Sequence, residues 1–72
     1  MNAKKLGALV RIRRRELKLN QSELALVAGT GRRFVSDLEN GKGSCELEKS
    51  LLVLSALGIA LVGDWRGKGD KI

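Results

Sequence analysis

Apolar residues in this 72-residue chain recur at helical spacing in four blocks, separated by short polar or glycine-bearing breaks. Leu6, Val10 and Leu17 share one face of a first predicted helix over residues 3–17. Arg14 falls on the same face, and a charge on an apolar face needs a partner, for which Glu39 is the best candidate. Asn20, with Glu23 three residues later, makes a capping-box-like start for a second helix. Leu24, Ala25 and Ala28 of that helix point inward, and Gly29 stops it. Thr30 is read as the cap of a third helix reaching about Asn40, with Val35 and Leu38 turned back into the core and Asn40-Gly41 as a turn signal. Ser44 is expected to cap a fourth helix from about Cys45 to Leu57, with Glu46 and Glu48 in its first turn, where the helix dipole favours acids. Its expected core stripe is Leu47, Leu51 and Leu54, its apolar surface is widened by Leu52 and Val53, and Gly58 ends it.

The run Ile59-Ala60-Leu61-Val62 has β character. Four apolar residues cannot form a sheet alone, so they either pair with their twin in a second subunit or lie over the core. The last ten residues are glycine-rich and polar, and Trp65 is the one large side chain among them. The predicted fold is all-α, a compact four-helix domain over residues 1–62 with a short C-terminal strand, followed by a tail over residues 63–72 that is expected to be loose.

Charge changes the picture. The net charge is +6, and all of the excess lies in residues 1–43, which hold ten Lys/Arg against four Asp/Glu. The rest of the chain is balanced, so the basic half is the one expected to meet an anionic partner. Catalysis is poorly supported, because there is no His and no evident nucleophile–base pair. The lone Cys45 can make neither an intrachain disulfide nor a zinc site, and no cofactor or metal is expected. The longest apolar run, residues 51–62, is shorter than the ~20 residues of a membrane span, and no signal peptide is read. A cytoplasmic location is expected.

Gln21, Ala25, Gly29, Val35 and Leu38 together have the spacing of two short helices packed across a tight turn. Ala25 is small where the helices approach, and Gly29 supplies a conformation that a side chain opposes. Arg32, Arg33, Ser36 and Asp37 are left facing outward, where they can read bases in a DNA major groove or merely solvate the helix. Arg33 and Asp37, four apart, can instead pair with each other. Phe34 either packs near the turn or presses on a thymine methyl, and packing is favoured. Lys4, Lys5, Arg11, Arg13 and Arg15 face solvent or a phosphate backbone.

Residues 6–59 resemble the Cro- and CI-type (XRE) helix-turn-helix family, on Gln21, Ala25, Gly29, Val35 and the run Leu38-Glu39-Asn40-Gly41-Lys42. The stretch GRRFVSDLENGK and the SALGIAL segment look closer still to the HipB-like antitoxins that pair with HipA-type Ser/Thr kinase toxins. The resemblance implies a lambda-repressor-like domain that binds double-stranded, palindromic operator DNA as a homodimer and represses its own operon. It implies a buried salt bridge between Arg14 and Glu39, and base reading by Arg32, Arg33, Ser36 and Asp37. It further implies phosphate contacts from Asn20, Gln21, Ser22, Asn40 and Lys42. The expected dimer seam is Leu52, Val53, Ile59, Leu61 and Val62, and the expected second partner is a HipA-like kinase, with a separate small protein in some versions of the system. Two Arg and a Phe in the third helix depart from the family's more usual Gln and Thr, which leaves the operator sequence open. Alternatives are a free-standing phage or host repressor without a toxin, and an interaction adaptor that keeps the fold without binding DNA.

Overall fold

The computed structural model describes residues 2–43 and 46–60, and these form four helices: α1 (Ala3–Glu16), α2 (Gln21–Ala28), α3 (Arg32–Glu39) and α4 (Leu47–Ala56). The all-α, four-helix architecture expected from the pattern is the one observed. α3 packs against α1 and α2, and α4 packs against α2. Val10, Leu24, Val35, Val53 and Leu57 are completely enclosed at the centre, with Ala25, Ala28, Leu38 and Leu54 completing the core.

Local chemistry sets the helix ends. The Asn2 side chain accepts from the Lys5 amide at the start of α1. Asn20 and Glu23 form a reciprocal capping box, with Glu23 N donating to Asn20 Oδ1 at 2.7 Å and Asn20 N donating to Glu23 Oε1 at 2.8 Å. All four helices close alike: Leu19, Thr30, Lys42 and Ile59 each donate an amide to the carbonyl five residues back. The residue before each, Lys18, Gly29, Gly41 or Gly58, has positive φ. Gly29, at φ 74°, is the bend that lets α3 turn away from α2.

Three boundary expectations are corrected. Gly31, not Thr30, precedes α3 and contributes no side-chain cap, while Thr30 Oγ1 is buried without a hydrogen-bond partner among the described residues. The Thr30 amide belongs instead to the closure of α2. α4 begins at Leu47, behind Glu46 rather than at Cys45, and the expected cap Ser44 and first residue Cys45 lie outside the described residues. Leu17 is the C-terminal cap of α1 and is 39% exposed, while Leu19, past the turn, packs on the core.

The buried face of α4 also differs from the expected one. Leu47 is 71% exposed and Leu51 43%, whereas Ser50, Val53, Leu54 and Leu57 face inward. Those four follow i, i+3, i+4, i+7 spacing, so the helix is rotated from the Leu47/Leu51/Leu54 stripe. Ser50 can face inward because its hydroxyl donates to the Glu46 carbonyl at 2.8 Å. Val53, expected at a dimer seam, is 0% exposed and belongs to the core. No strand occurs among the described residues: Ile59 packs on the core, Ala60 is exposed, and Leu61, Val62 and the tail with Trp65 lie outside them.

α1 lies against the end of α3 with Gly7 at the crossing. A Cβ there would collide with the Leu38 carbonyl oxygen and stand 2.7 Å from that of Glu39. Both obstacles are backbone, so only a shift of the helices could relieve the clash. Gly7→Ala should therefore destabilise the domain by ~3 kcal/mol, although Ala on its own favours a helix by ~1 kcal/mol. Urea unfolding checks this, and a variant as stable as the natural chain would show that the helices are not in close contact there.

Candidate nucleic-acid interface

α3 divides its eight residues by side. Val35, Leu38 and Glu39 are buried, Phe34 is half-buried, and Arg32 and Arg33 are exposed. Neither arginine has an acid or hydrogen-bond partner among the described residues. Ser36 and Asp37 are half-buried on the same outer side. Asp37 faces Lys42, with Lys42 Nζ 3.7 Å from Asp37 Oδ1, rather than pairing with Arg33. Phe34 packs against the core with Lys49 Nζ 6.0 Å from its ring centre, which ties α3 to α4.

The orientation of this face rests on Glu39. Its side chain has no exposed surface and collects donors from two other helices. Arg14 Nε donates to Oε2 at 2.6 Å and Arg14 Nη2 to Oε1 at 3.0 Å, a bidentate pair. Arg11 Nε and Gln21 Nε2 each donate to Oε1 at 3.3 Å. Arg14 Nη1 also donates to the Leu19 carbonyl at 2.8 Å, which fixes the α1–α2 connection. Burial pushes the Glu39 carboxyl up, but the hydrogen bonds from Arg14 and Gln21, the charge of Arg14 and the hydrogen bond from Arg11 outweigh it. The carboxyl is held below the usual range. The Arg14 guanidinium is correspondingly raised, chiefly by its hydrogen bond to Glu39.

Beside this hub an open cleft of about 480 Å³ is lined by Arg14, Asn20, Gln21, Ser22 and Arg32. The Gln21 and Ser22 amides, at the start of α2, have no intrahelical acceptor. With the Ser22 hydroxyl and the Arg32 guanidinium they make a donor-rich recess suited to an oxyanion. Gln21 was expected to reach a phosphate with its side chain, but that side chain is turned inward to Glu39, leaving its backbone amide at the cleft. Asn20 is similarly committed to its capping box. Asn40 and Lys42 are exposed at the far end of α3.

Sequence reasoning missed three residues. Gly7 lies unremarked inside the first predicted helix, and Arg11 and Arg13 are expected to face solvent or a phosphate backbone. Arg13 Nε donates to the Leu57 carbonyl at 2.9 Å, holding the end of α4 onto α1. A glycine inside a helical pattern was itself a signal of close approach. The arginines gave none, since neither falls on the apolar face that singles out Arg14, and their partners lie 28 and 44 residues away.

The sequence pattern of the helix-turn-helix family matches residues 10–63. This chain belongs to that family. An uncharacterized HTH-type transcriptional regulator of Sinorhizobium fredii is 54% identical over 56 residues, covering 78% of this chain and 74% of that protein. The ImmF control region 10 kDa protein of Bacillus phage phi105 is 45% identical over 42 residues, covering 58% of this chain. The chain spans just under half of the phage protein, 47% of its length. In a helix-turn-helix domain the second helix of the motif enters the DNA major groove, and here that helix is α3. No described helix is long and apolar enough to cross a membrane.

Because Glu39 is held below its ordinary pKa, its contribution to stability is complete above the usual carboxylate value of ~4.3 and is lost as pH falls through its depressed folded value. Glu39→Gln leaves Arg14 buried without a counter-charge and should cost ~3–5 kcal/mol at neutral pH. In urea unfolding across pH 7 to 3, the gap between the natural chain and this variant should narrow below about pH 4. A gap that stays constant with pH would remove the charge from the explanation.

Proposed function

We propose that this chain is a sequence-specific transcriptional repressor that lays the outer face of α3 in the major groove of operator DNA and acts as a homodimer. The observation that carries the reading is the division of α3: the buried side is locked by Val35, Leu38 and Glu39, and the opposite side presents Arg32 and Arg33 uncommitted among the described residues. Either guanidinium can bind guanine bidentately, each good pair contributing ~1–3 kcal/mol of discrimination. Ser36 can hydrogen-bond a base, and Asp37, neutralised by Lys42, can accept from a cytosine amino group. Phosphate contacts come from the cleft around Asn20, Gln21 and Ser22 and from Asn40 and Lys42, and they set the register of α3 without reading sequence.

A single small domain grips few phosphates, and a two-fold pair doubles them. Leu52, 50% exposed on α4, supplies an apolar surface for that pairing, and Ile59, Leu61 and Val62 follow the helix in sequence as the rest of the proposed seam. The phage control-region protein among the relatives supports the free-standing repressor form. The antitoxin form, with a HipA-like kinase and in some versions a third small protein as partners, rests on the GRRFVSDLENGK and SALGIAL segments.

A gel shift on the DNA just upstream of the chain's own gene, at two salt concentrations, tests the DNA reading. Arg32→Ala and Arg33→Ala should each weaken binding roughly 10- to 100-fold, and the double variant should lose salt-dependent specific binding. Undiminished binding by the double variant would move recognition off α3. Leu52→Glu should shift the chain to monomers in light scattering and weaken the shift while leaving the fold intact. A persistent dimer would place the seam elsewhere.

A further inference from the structure

Arg11 lies on α1, outside the helix-turn-helix unit, yet its guanidinium bridges two residues at the end of α3. Nε donates to Glu39 Oε1 at 3.3 Å and Nη2 donates to Asn40 Oδ1 at 3.2 Å. Glu39 is already held by both nitrogens of the Arg14 fork and by Gln21. The second arm of Arg11 is therefore the part that does something new, and it acts on an exposed side chain.

A guanidinium only donates, so the amide atom facing Arg11 must be the oxygen of Asn40. The Asn40 backbone amide is separately engaged, donating to the Ser36 carbonyl. The side-chain Nδ2, with two hydrogens, is left on the other side and has no acceptor among the described residues. A phosphate oxygen is the complementary group, since it only accepts. An unrestrained asparagine would present oxygen or nitrogen to the phosphate with nearly equal ease, and the oxygen would repel it.

We infer that Arg11 is a positioning residue for DNA binding, fixing the Asn40 side chain with its amide nitrogen outward so that it can donate to a backbone phosphate. This rests on the DNA-binding reading of α3 given above. The device needs a fork: lysine keeps the positive charge beside Glu39 but cannot span Glu39 and Asn40 from one rigid plane. Restraint of one side chain among about six rotamers bounds the effect at about two- to sixfold in affinity. Removing the donor altogether, by Asn40→Ala, should cost about tenfold.

The test is a double-mutant cycle of Arg11→Lys and Asn40→Ala in the full chain, with thermal melting to confirm folding. Affinity is read by gel shift on two duplexes, the DNA upstream of the chain's own gene and a short mixed-sequence duplex at low salt. Expected are a two- to sixfold loss for Arg11→Lys, a larger loss for Asn40→Ala, and a double variant no weaker than Asn40→Ala alone. The losses should be equal on both duplexes, because phosphates carry no sequence. Natural-chain affinity in Arg11→Lys, or losses that multiply in the double variant, would overturn the inference and leave the repressor reading standing. A natural chain that binds neither duplex would overturn both. Should Arg11→Lys melt early, the nitrogen-15 signals of the Asn40 side-chain amide in the natural chain decide: they should move when the mixed-sequence duplex is added, and stationary signals would overturn the inference.

Discussion

A carboxylate with no exposed surface has to be answered by donors from its neighbours, and Glu39 draws them from α1 and α2 at once. The consequence is geometric as much as energetic. A bidentate arginine fixes the plane and distance of the carboxylate, so the C-terminal end of α3 is fixed against the last turn of α1. The Gln21 amide then ties the start of α2 to the same oxygen that receives Arg11. Three helices are thus registered on one charged group. Gly7 allows the required approach by presenting no side chain to the Leu38 and Glu39 carbonyls.

The interface follows from that registration. With Val35, Leu38 and Glu39 directed inward, an eight-residue helix has no freedom left in its rotation, and Arg32, Arg33, Ser36 and Asp37 must lie on the remaining side. The hub also decides which donors remain uncommitted at the surface. Gln21 gives up its side chain to Glu39 and retains its backbone amide, Asn20 is spent on capping α2, and Arg32 stays open at the cleft. A surface that looks uniformly polar in sequence is thus divided between groups holding the fold and groups left uncommitted among the described residues.

α4 is governed by a different rule. Its composition is apolar on more than one side, so burial alone does not select a face. The selection comes from its C-terminal end, where Arg13 takes the Leu57 carbonyl and the closure at Gly58 directs Ile59 onto the core. That rotation turns Ser50 and Val53 inward and leaves Leu47, Leu51 and Leu52 facing out. Its outward leucines are therefore left over from the choice of face, and Leu52 among them is half exposed.

Sequence by itself determined the four helices, the capping box at Asn20 and Glu23, the bend at Gly29, the Arg14–Glu39 match and the outward set on α3. Each of these is local or carries a chemical imbalance, such as a charge on an apolar face, that only one kind of neighbour resolves. Tertiary structure alone decided which stripe of α4 is buried, that Val53 belongs to the core, that Thr30 caps nothing, and that Arg11 and Arg13 serve α3 and α4. The physical reason is common to these cases. Where a helix offers two apolar faces, or an arginine sits among other arginines, the local pattern is degenerate, and only packing against residues distant in the chain breaks the tie.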